Sequence, residues 1–373
     1  MSTLDVVAAV SFALTGTVLA GNLRLWLRER HAADAFRAEP APKTDPPVFK
    51  TTPKVSALIA VYQAGESPDA VVETFSRLDY PAKELVLAIG GAHNLADYAH
   101  LASPQVILVE HPGGRKNAAL ARCAAKATGE ILYLTDADCR YDTDSFLRLI
   151  APIVEGESDA SGGRSRPLAG QEDRFLVQVG QSRHGSRPRR VRQPGRSMLG
   201  RNAALTRAAL DKSGGFAEDV LGDDYYMPKR LLQLGLRIMS VPDSIVESPY
   251  PESLFAFIRQ QARWTRSLFI DAPKLGLYRD AFEALRSALL GLGMIALTLS
   301  LPFTQVWGLL VLLPLLTYSY LSRLRRILFA TRIGTYRLRP YHFFAALLWC
   351  YLDFVIWARA LIEYLIPPLR RRW

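Results

Sequence analysis

Residues 131–138 read Ile131-Leu132-Tyr133-Leu134-Thr135-Asp136-Ala137-Asp138, a short apolar run that ends abruptly in two carboxylates. An apolar run this short, bounded by polar residues, reads as a strand covered on both faces. Immediately upstream, residues 116–128 are Ala-rich at helical spacing and stop at Gly129. Further out, 55–61 is a β-rich run, 68–78 has helical spacing, and 85–89 and 106–109 are short apolar strands. Strands alternating with helices predict an α/β domain with a mostly parallel sheet and helices on both faces. Such sheets bind ligands beyond the C-terminal ends of their strands. Chemistry is therefore expected just after Val61, Ile89 and Leu134.

The whole chain has 373 residues, with 46 Lys plus Arg against 35 Asp plus Glu, a formal charge of +11. The basic excess suits nucleic acid, acidic headgroups or a phosphorylated substrate without choosing among them. Apolar residues make up 49% and charged residues 22%, and mean hydropathy is +0.06. That mixture indicates a water-facing part joined to greasy segments; disorder, collagen and coiled coil are excluded. Cys123, Cys139 and Cys350 are odd in number and scattered, which excludes a disulfide framework or a zinc module.

The greasy segments lie at the two ends. Residues 4–19 are almost wholly apolar, and Arg24, Arg28 and Arg30 follow the run instead of preceding it as in a signal peptide. This predicts an uncleaved transmembrane helix over 1–30 with its C-terminal end in the cytoplasm. A Pro-rich linker over 31–53 carries Pro40, Pro42, Pro46, Pro47 and Pro53. After a soluble domain at 54–250 and amphipathic interfacial helices at 251–282, residues 283–373 form a C-terminal membrane region of about three spans. Within it, 285–301 and 303–321 read as a hairpin broken at Pro302. A basic block with Arg323, Arg325, Arg326, Arg332, Arg337 and Arg339 then belongs in the cytoplasm. The last run, 341–366, contains Asp353, Arg359 and Glu363 at roughly helical spacing, so they share a face; it is either a span or an interfacial helix. Three spans here would put Arg370, Arg371 and Arg372 outside, against the charge rule.

Four stretches carry chemistry. Two carboxylates two residues apart at a strand end, Asp136 and Asp138, suit a hard divalent cation, Mg²⁺ or Mn²⁺, bridging to a diphosphate; an ordinary Asp-rich turn is the bland reading. Gly113-Gly114-Arg115-Lys116-Asn117 opens a helix and offers a phosphate cradle, although Gly-rich turns before helices are common. In Gly222-Asp223-Asp224-Tyr225, a carboxylate can take a proton from an acceptor hydroxyl. Asp223 reads equally well as a helix N-cap, which leaves Asp224 as the functional acid. Finally, Gln260, Arg263 and Trp264 stand at i, i+3 and i+4 on an amphipathic helix beginning near Glu252. One face thus gathers an amide, a planar cation for phosphate and a flat ring for a sugar.

With these residues in hand, the sequence resembles membrane-bound family 2 glycosyltransferases, the group holding chitin, hyaluronan and cellulose synthases. Asp136-Ala137-Asp138 matches the family's D-x-D. The segment from Ser197-Met198-Leu199-Gly200-Arg201-Asn202 to Gly214-Gly215-Phe216 is similar to its acceptor-proximal stretch. Gly222-Asp223-Asp224 stands at the T-E-D position, and Gln260 to Trp264 fits Q-(Q/R)-x-R-W in full. The resemblance implies a GT-A fold on the cytoplasmic face of the inner or plasma membrane, with inverting transfer from a nucleotide sugar, a UDP-sugar first among them. It implies that Asp136 contacts the nucleotide, Asp138 the metal, and Lys116 the nucleotide phosphates. By the same resemblance Asp224 is the general base, with Asp223 beside it, Arg263 steadies the leaving diphosphate, and Gln260 and Trp264 border the acceptor.

One departure from that family matters. Its second strand is followed by D-D-G-S, whose carboxylate holds the uracil side of the nucleotide; here the chain reads Ile89-Gly90-Gly91-Ala92, and the first strand ends Ala60-Val61-Tyr62-Gln63. Tyr62 is then the nucleotide-facing residue of that corner. Ceramide glucosyltransferase-like enzymes depart at the same place and carry an Asp-Asp-Tyr similar to Asp223-Asp224-Tyr225. A second peculiarity is the Arg-rich stretch Arg183, Arg187, Arg189, Arg190, Arg192 and Arg196. It reads as a solvated loop drawn to anionic headgroups or as a contact for an acidic acceptor. No aromatic interleaving accompanies it, so nucleic acid is not an expected partner.

Three functions follow as expectations. The first is synthesis of an oligo- or polysaccharide, with a homo-oligomer or a separate partner completing any export path. The second is addition of a sugar to a membrane lipid. The third is a non-catalytic subunit that binds nucleotide or polymer.

Overall fold

The computed structural model describes residues 2–39, 45–111, 113, 115–184 and 190–367. Pro40, Pro42, Gly114, Arg187, Arg189, Arg370, Arg371 and Arg372 lie outside the described residues.

The centre of the chain is an α/β domain. Strands β1 (Val55–Val61), β2 (Lys83–Ile89), β3 (Val106–Glu110) and β4 (Ile131–Thr135) alternate with helices α2 (Pro68–Ser76) and α3 (Lys116–Lys126). They are followed by β5 (Ala160–Pro167), β6 (Gln193–Pro194), β7 (Asn202–Thr206) and β8 (Ile238–Ser248). All eight strands join one sheet in the order β3-β2-β1-β4-β7-β5-β8-β6. Four pairings are parallel, namely β1–β2, β1–β4, β2–β3 and β5–β8; β7 runs antiparallel between β4 and β5, and β6 antiparallel at the edge.

Successive side chains of a strand point to opposite faces, and both faces here are covered. Leu58, Leu132 and Leu134 pack with Leu120 and Cys123 of α3 and Leu231 of α7 (Asp223–Gln233) on one side. Their neighbours Ile59 and Tyr133 pack with Phe75 of α2 and with Phe146 and Leu149 of α4 (Thr143–Val154) on the other. Every residue of β4 is buried, so the chain leaves the core at Asp136. Helices α5 (Phe175–His184) and α6 (Arg207–Ser213) complete the domain.

Among the described residues, three helices are long and apolar enough to cross a membrane: α1 (Thr3–Ala38), α9 (Tyr278–Arg332) and α10 (Tyr341–Leu365). Helix α9 is two helices joined at Gln305, which takes φ 45° and ψ −127°. Its legs fold back on each other: Met294 and Leu312 share a buried cluster, and Leu301 lies against Gly308. Helix α1 runs parallel to the second leg, with Ser11 Oγ donating to Leu310 O, Glu29 facing Arg325 at 3.4 Å, and Asp34 facing Arg332 at 2.9 Å.

Helix α10 is placed differently from the other two. Its most apolar window is 61% buried, against 6% for α1 and 17% for α9, because it packs between the α9 hairpin and α8 (Leu254–Lys274). At its start Tyr341 Oη and His342 Nε2 meet Gln178 of α5. Midway, Asp353 takes Arg183 of α5 at 3.0 Å and Arg323 of α9 at 2.9 Å. Near its end Glu363 takes Arg266 of α8 at 2.8 Å. The charges within this apolar run are therefore all paired: Arg359 also binds Glu363.

Candidate active site

The site forms where β4 ends, at the mouth between α3, α7 and α8. Lys116 opens α3, and its Nζ lies 2.5 Å from Asp136 Oδ1, 3.4 Å from Asp223 Oδ2, and donates to Gly200 O at 3.1 Å. Burial disfavours the ammonium, yet Asp136 and Asp223 outweigh it and hold Lys116 protonated. Burial likewise disfavours the Asp136 carboxylate, but Lys116, Arg201 and Arg263 keep it ionised, below its ordinary range.

Asp223 does not cap its helix. Gly222 is the N-cap residue and gives no side-chain cap bond; Asp223 is the first helical residue, and its carboxylate turns to Lys116 instead. A full cation outcompetes the helix-end amides for that charge. Gly200 allows this approach, because a Cβ there would collide with the Asp223 carboxylate. Asp224, next along, is pushed up to about 6, first by burial and then by the Asp223 charge, against the pull of Arg201, Lys116 and Arg263. A half-buried carboxyl poised there can exchange a proton near neutral pH.

Helix α8 supplies the opposite wall. Arg263 is held below its ordinary range by burial, while Asp223, Asp136 and Asp224 pull the other way. Trp264 lies beneath the guanidinium of Arg201, 5.7 Å from carbon to ring centroid. Arg201 donates to Ser248 Oγ at 2.6 Å; burial opposes its charge, and Asp136 restores it. Gln260, a turn earlier on α8, is half-buried and makes no hydrogen bond to the site among the described residues.

The acids at the strand end fit a hard cation. One ligand atom each from Asp136, Asp138 and Cys139 lie within 4.8 Å of one another. Asp138 is pushed up to about 6, first by burial and then by the Asp136 charge, against the pull of Arg201. Cys139 is buried and its thiol is pushed well up by burial, so oxygen dominates the donor set, as Mg²⁺ or Mn²⁺ prefers.

At the remaining corner, beyond β1 and β2, Tyr62 is 41% exposed and its ring lies 4.8 Å from that of His111, just past β3. Gly90 and Gly91 make this possible. A Cβ on Gly90 would sit 2.7 Å from His111 O, and one on Gly91, at φ +66°, would meet Tyr62 O. The acid expected in this corner is thus replaced by a close-packed aromatic pair. Glu66 fixes the loop by accepting from Tyr62 N at 2.6 Å and Gln63 N at 2.9 Å.

The sheet and its neighbours therefore bring Lys116, Asp136, Asp138, Asp223, Asp224, Arg263 and Trp264 together, and leave Gln260 and Tyr62 at the margins. Sequence reasoning missed His111, and it named Arg201 only within the acceptor-proximal stretch from Ser197 to Asn202, with no role of its own. His111 follows the β3 run directly, and the strand-end rule applied there as well would have found it. Beyond that stretch's likeness, Arg201 carries no local signal except its place before β7.

Comparison with known proteins agrees with a glycosyltransferase. A solved structure of similar fold is the mannosyltransferase PcManGT from Pyrobaculum calidifontis, in complex with GDP-Man and Mn²⁺: TM-score 0.58, 19% identity, covering 97% of this chain and 99% of that one. The profile of glycosyl transferase family 21 matches residues 8–366, and the chain belongs to that family. Among curated proteins, an N-acetylglucosaminyltransferase of Rhizobium meliloti (strain 1021) is 42% identical over 50 residues, 13% of this chain and 12% of that protein. The probable glycosyltransferase YdaM of Bacillus subtilis (strain 168) is 23% identical over 236 residues, 58% of this chain and 56% of its own length. The chain thus spans from an eighth to just over half of these relatives.

Proposed function

We propose that this glycosyltransferase moves a sugar from a nucleotide sugar to the hydroxyl of a membrane lipid, with inversion, at the face where the α/β domain meets the bilayer. The observation that carries the lipid reading is an apolar groove of about 460 Å³ along the first leg of α9, lined by Phe282, Leu285, Leu289, Met294 and Leu297 and closed by Leu315 of the second leg, with Arg286 the one charged residue in its wall. Two residues before it, Asp280 accepts a 2.7 Å hydrogen bond from Tyr225 Oη, and Tyr225 follows Asp224 in α7. A lipid tail in the groove would bring its head to the catalytic mouth. The glycolipid alternative drawn from Asp223-Asp224-Tyr225 has this support. The oligo- or polysaccharide alternative keeps its own, since Trp264 offers a flat ring for a sugar and several curated relatives are N-acetylglucosaminyltransferases.

In the mechanism that fits, Asp224 removes the acceptor hydroxyl's proton as its oxygen attacks the anomeric carbon and the bond to the diphosphate breaks. Lys116, Arg201 and Arg263 offset the charge left on the diphosphate. Asp138 and Asp136 would hold Mg²⁺ or Mn²⁺, whose charge favours departure of the diphosphate. Tyr62 would face the nucleoside.

The membrane arrangement we propose follows the paired charges. Parallel α1 and the second leg of α9 bring Arg24, Arg28, Arg325 and Arg332 to one side, cytoplasmic by the positive-inside rule. Helix α10 meets α5 of the domain at its start and α8, which carries Arg263 and Trp264, near its end, so it lies along this side without crossing, and its C-terminal end shares the catalytic face.

The test uses purified protein in nanodiscs with Mn²⁺ or Mg²⁺ and radiolabelled UDP-, GDP- and dTDP-sugars. Label in a single chloroform-soluble species supports the lipid acceptor. Label in a water-soluble size series moves the reading to polysaccharide. Neither product, with no donor hydrolysis, overturns catalysis by this chain.

A further inference from the structure

The buried acid Asp271 plays no part in the chemistry above, yet it grips the chain immediately before the reacting carboxylates. It sits on α8, two turns beyond Trp264, and is 0% exposed. Its Oδ1 and Oδ2 accept from Leu221 N at 3.0 and 3.1 Å, and Oδ2 accepts from Gly222 N at 2.9 Å. Lys274, the basic residue one turn on, is hydrogen-bonded to Asp219 instead. The carboxylate is thus satisfied chiefly by two backbone amides, an arrangement whose cost of burial is offset only while that loop stays in place.

A second contact comes from the same helix. Ser267 closes on Gly222: a Cβ there would lie 3.0 Å from Ser267 Oγ. Gly222 is the N-cap of α7, so the two residues of α8 fix the point at which Asp223 and Asp224 leave the loop. Since Arg263 and Trp264 are on α8 too, one rigid helix sets the distance between the acids and the groups facing them.

We infer that Asp271 is a positioning residue for Asp224, locking the loop at Leu221-Gly222 to the helix that carries Arg263 and Trp264. The inference rests on Asp224 acting as the base. Near-attack geometry is sensitive to displacements well under the length of a side chain. Loosening this lock should therefore cost turnover while the donor still binds.

The test compares wild type, D271N and D271A as full chains in nanodiscs. Asn keeps the shape and one acceptor oxygen; Ala removes both. With a donor that wild type turns over, D271A should lower kcat by about 100-fold, with D271N between it and wild type, and donor KM should change little. The acid limb of the pH–rate profile should move in D271N, because Asp224 shifts relative to Asp223, Arg201, Lys116 and Arg263, the charges that set its titration. Amide hydrogen exchange, read without any ligand, should speed up at residues 221–226 while the β4 amides stay protected. A loss of activity that tracks only the folded fraction, with kcat per folded molecule and the pH limb unchanged, overturns the positioning role. Unchanged exchange at 221–226 in D271A overturns the lock itself, whether or not wild type turns over any donor in the panel.

Discussion

The guanidinium of Arg201 lies over the indole of Trp264, 5.7 Å from carbon to ring centroid. One residue enters from the loop before β7 and the other from α8, so the contact joins the wall proposed to face the diphosphate to the one proposed to face the acceptor. R201A and W264A should each lower kcat/KM, and a double-mutant cycle should leave a coupling of about 1 kcal/mol. Strict additivity would mean that the two walls work independently.

Asp224 should govern the acid side of the pH–rate profile. With its carboxyl pushed up to about 6, kcat should fall as pH drops through that value, because a protonated base accepts nothing. D224N should remove about a thousandfold or more of the transfer rate and leave nucleotide binding in place.

The same group predicts a gain in stability on its loss. Its folded value lies above the ordinary 3.8, so its contribution to stability is greatest below 3.8 and is lost as pH rises through about 6. D224N, neutral at every pH, should therefore melt above wild type at pH 7.5, with the difference narrowing toward pH 5. A lower melting temperature at pH 7.5 would contradict burial as the cause of the shift.

Asp138 should matter to metal more than to folding. Lys116 already neutralises Asp136 at 2.5 Å, which leaves Asp138 the less compensated acid. D138N should raise the Mn²⁺ concentration for half-maximal activity by more than about tenfold. The melting temperature without metal should hold or rise.

Gly91 tests the aromatic corner. G91A meets both a positive φ of +66° and the Tyr62 backbone and ring, whereas G214A, at φ +92°, meets only the backbone cost because nothing lies within 4 Å. Both should lose stability, and only G91A should weaken nucleotide binding, measured by calorimetry with UDP and GDP.

Much of this was legible in the sequence wherever burial is dictated locally. The β4 run has apolar residues on both faces, and so announces a central strand whose polar exit, Asp136, must face solvent or ligand. Strand β5, Ala160–Pro167, was not legible: its glycines, arginines and terminal proline oppose a strand, and pairing to β7 and β8 imposes it. Asp223 misled for a related reason, since the cation that wins its carboxylate enters from α3, more than a hundred residues away. The course of α10 was beyond reach too. Its periodicity reports an apolar helix, but its direction is set by Arg183, Arg266 and Arg323, which belong to three other elements.

The pairing of α1 with the second leg of α9 has a consequence for how the molecule is made. Ser11 Oγ and Leu310 O are separated by 299 positions in the chain. At bacterial or eukaryotic synthesis rates of about 5–20 residues per second, the first span waits on the order of 15–60 s for the helix it will pack against. Throughout that interval Glu29 and Asp34 lack Arg325 and Arg332, and the whole α/β domain emerges and folds in between. The finished anchor is therefore a late event of biogenesis, and a newborn chain halted before residue 278 would hold a folded domain on a solitary helix.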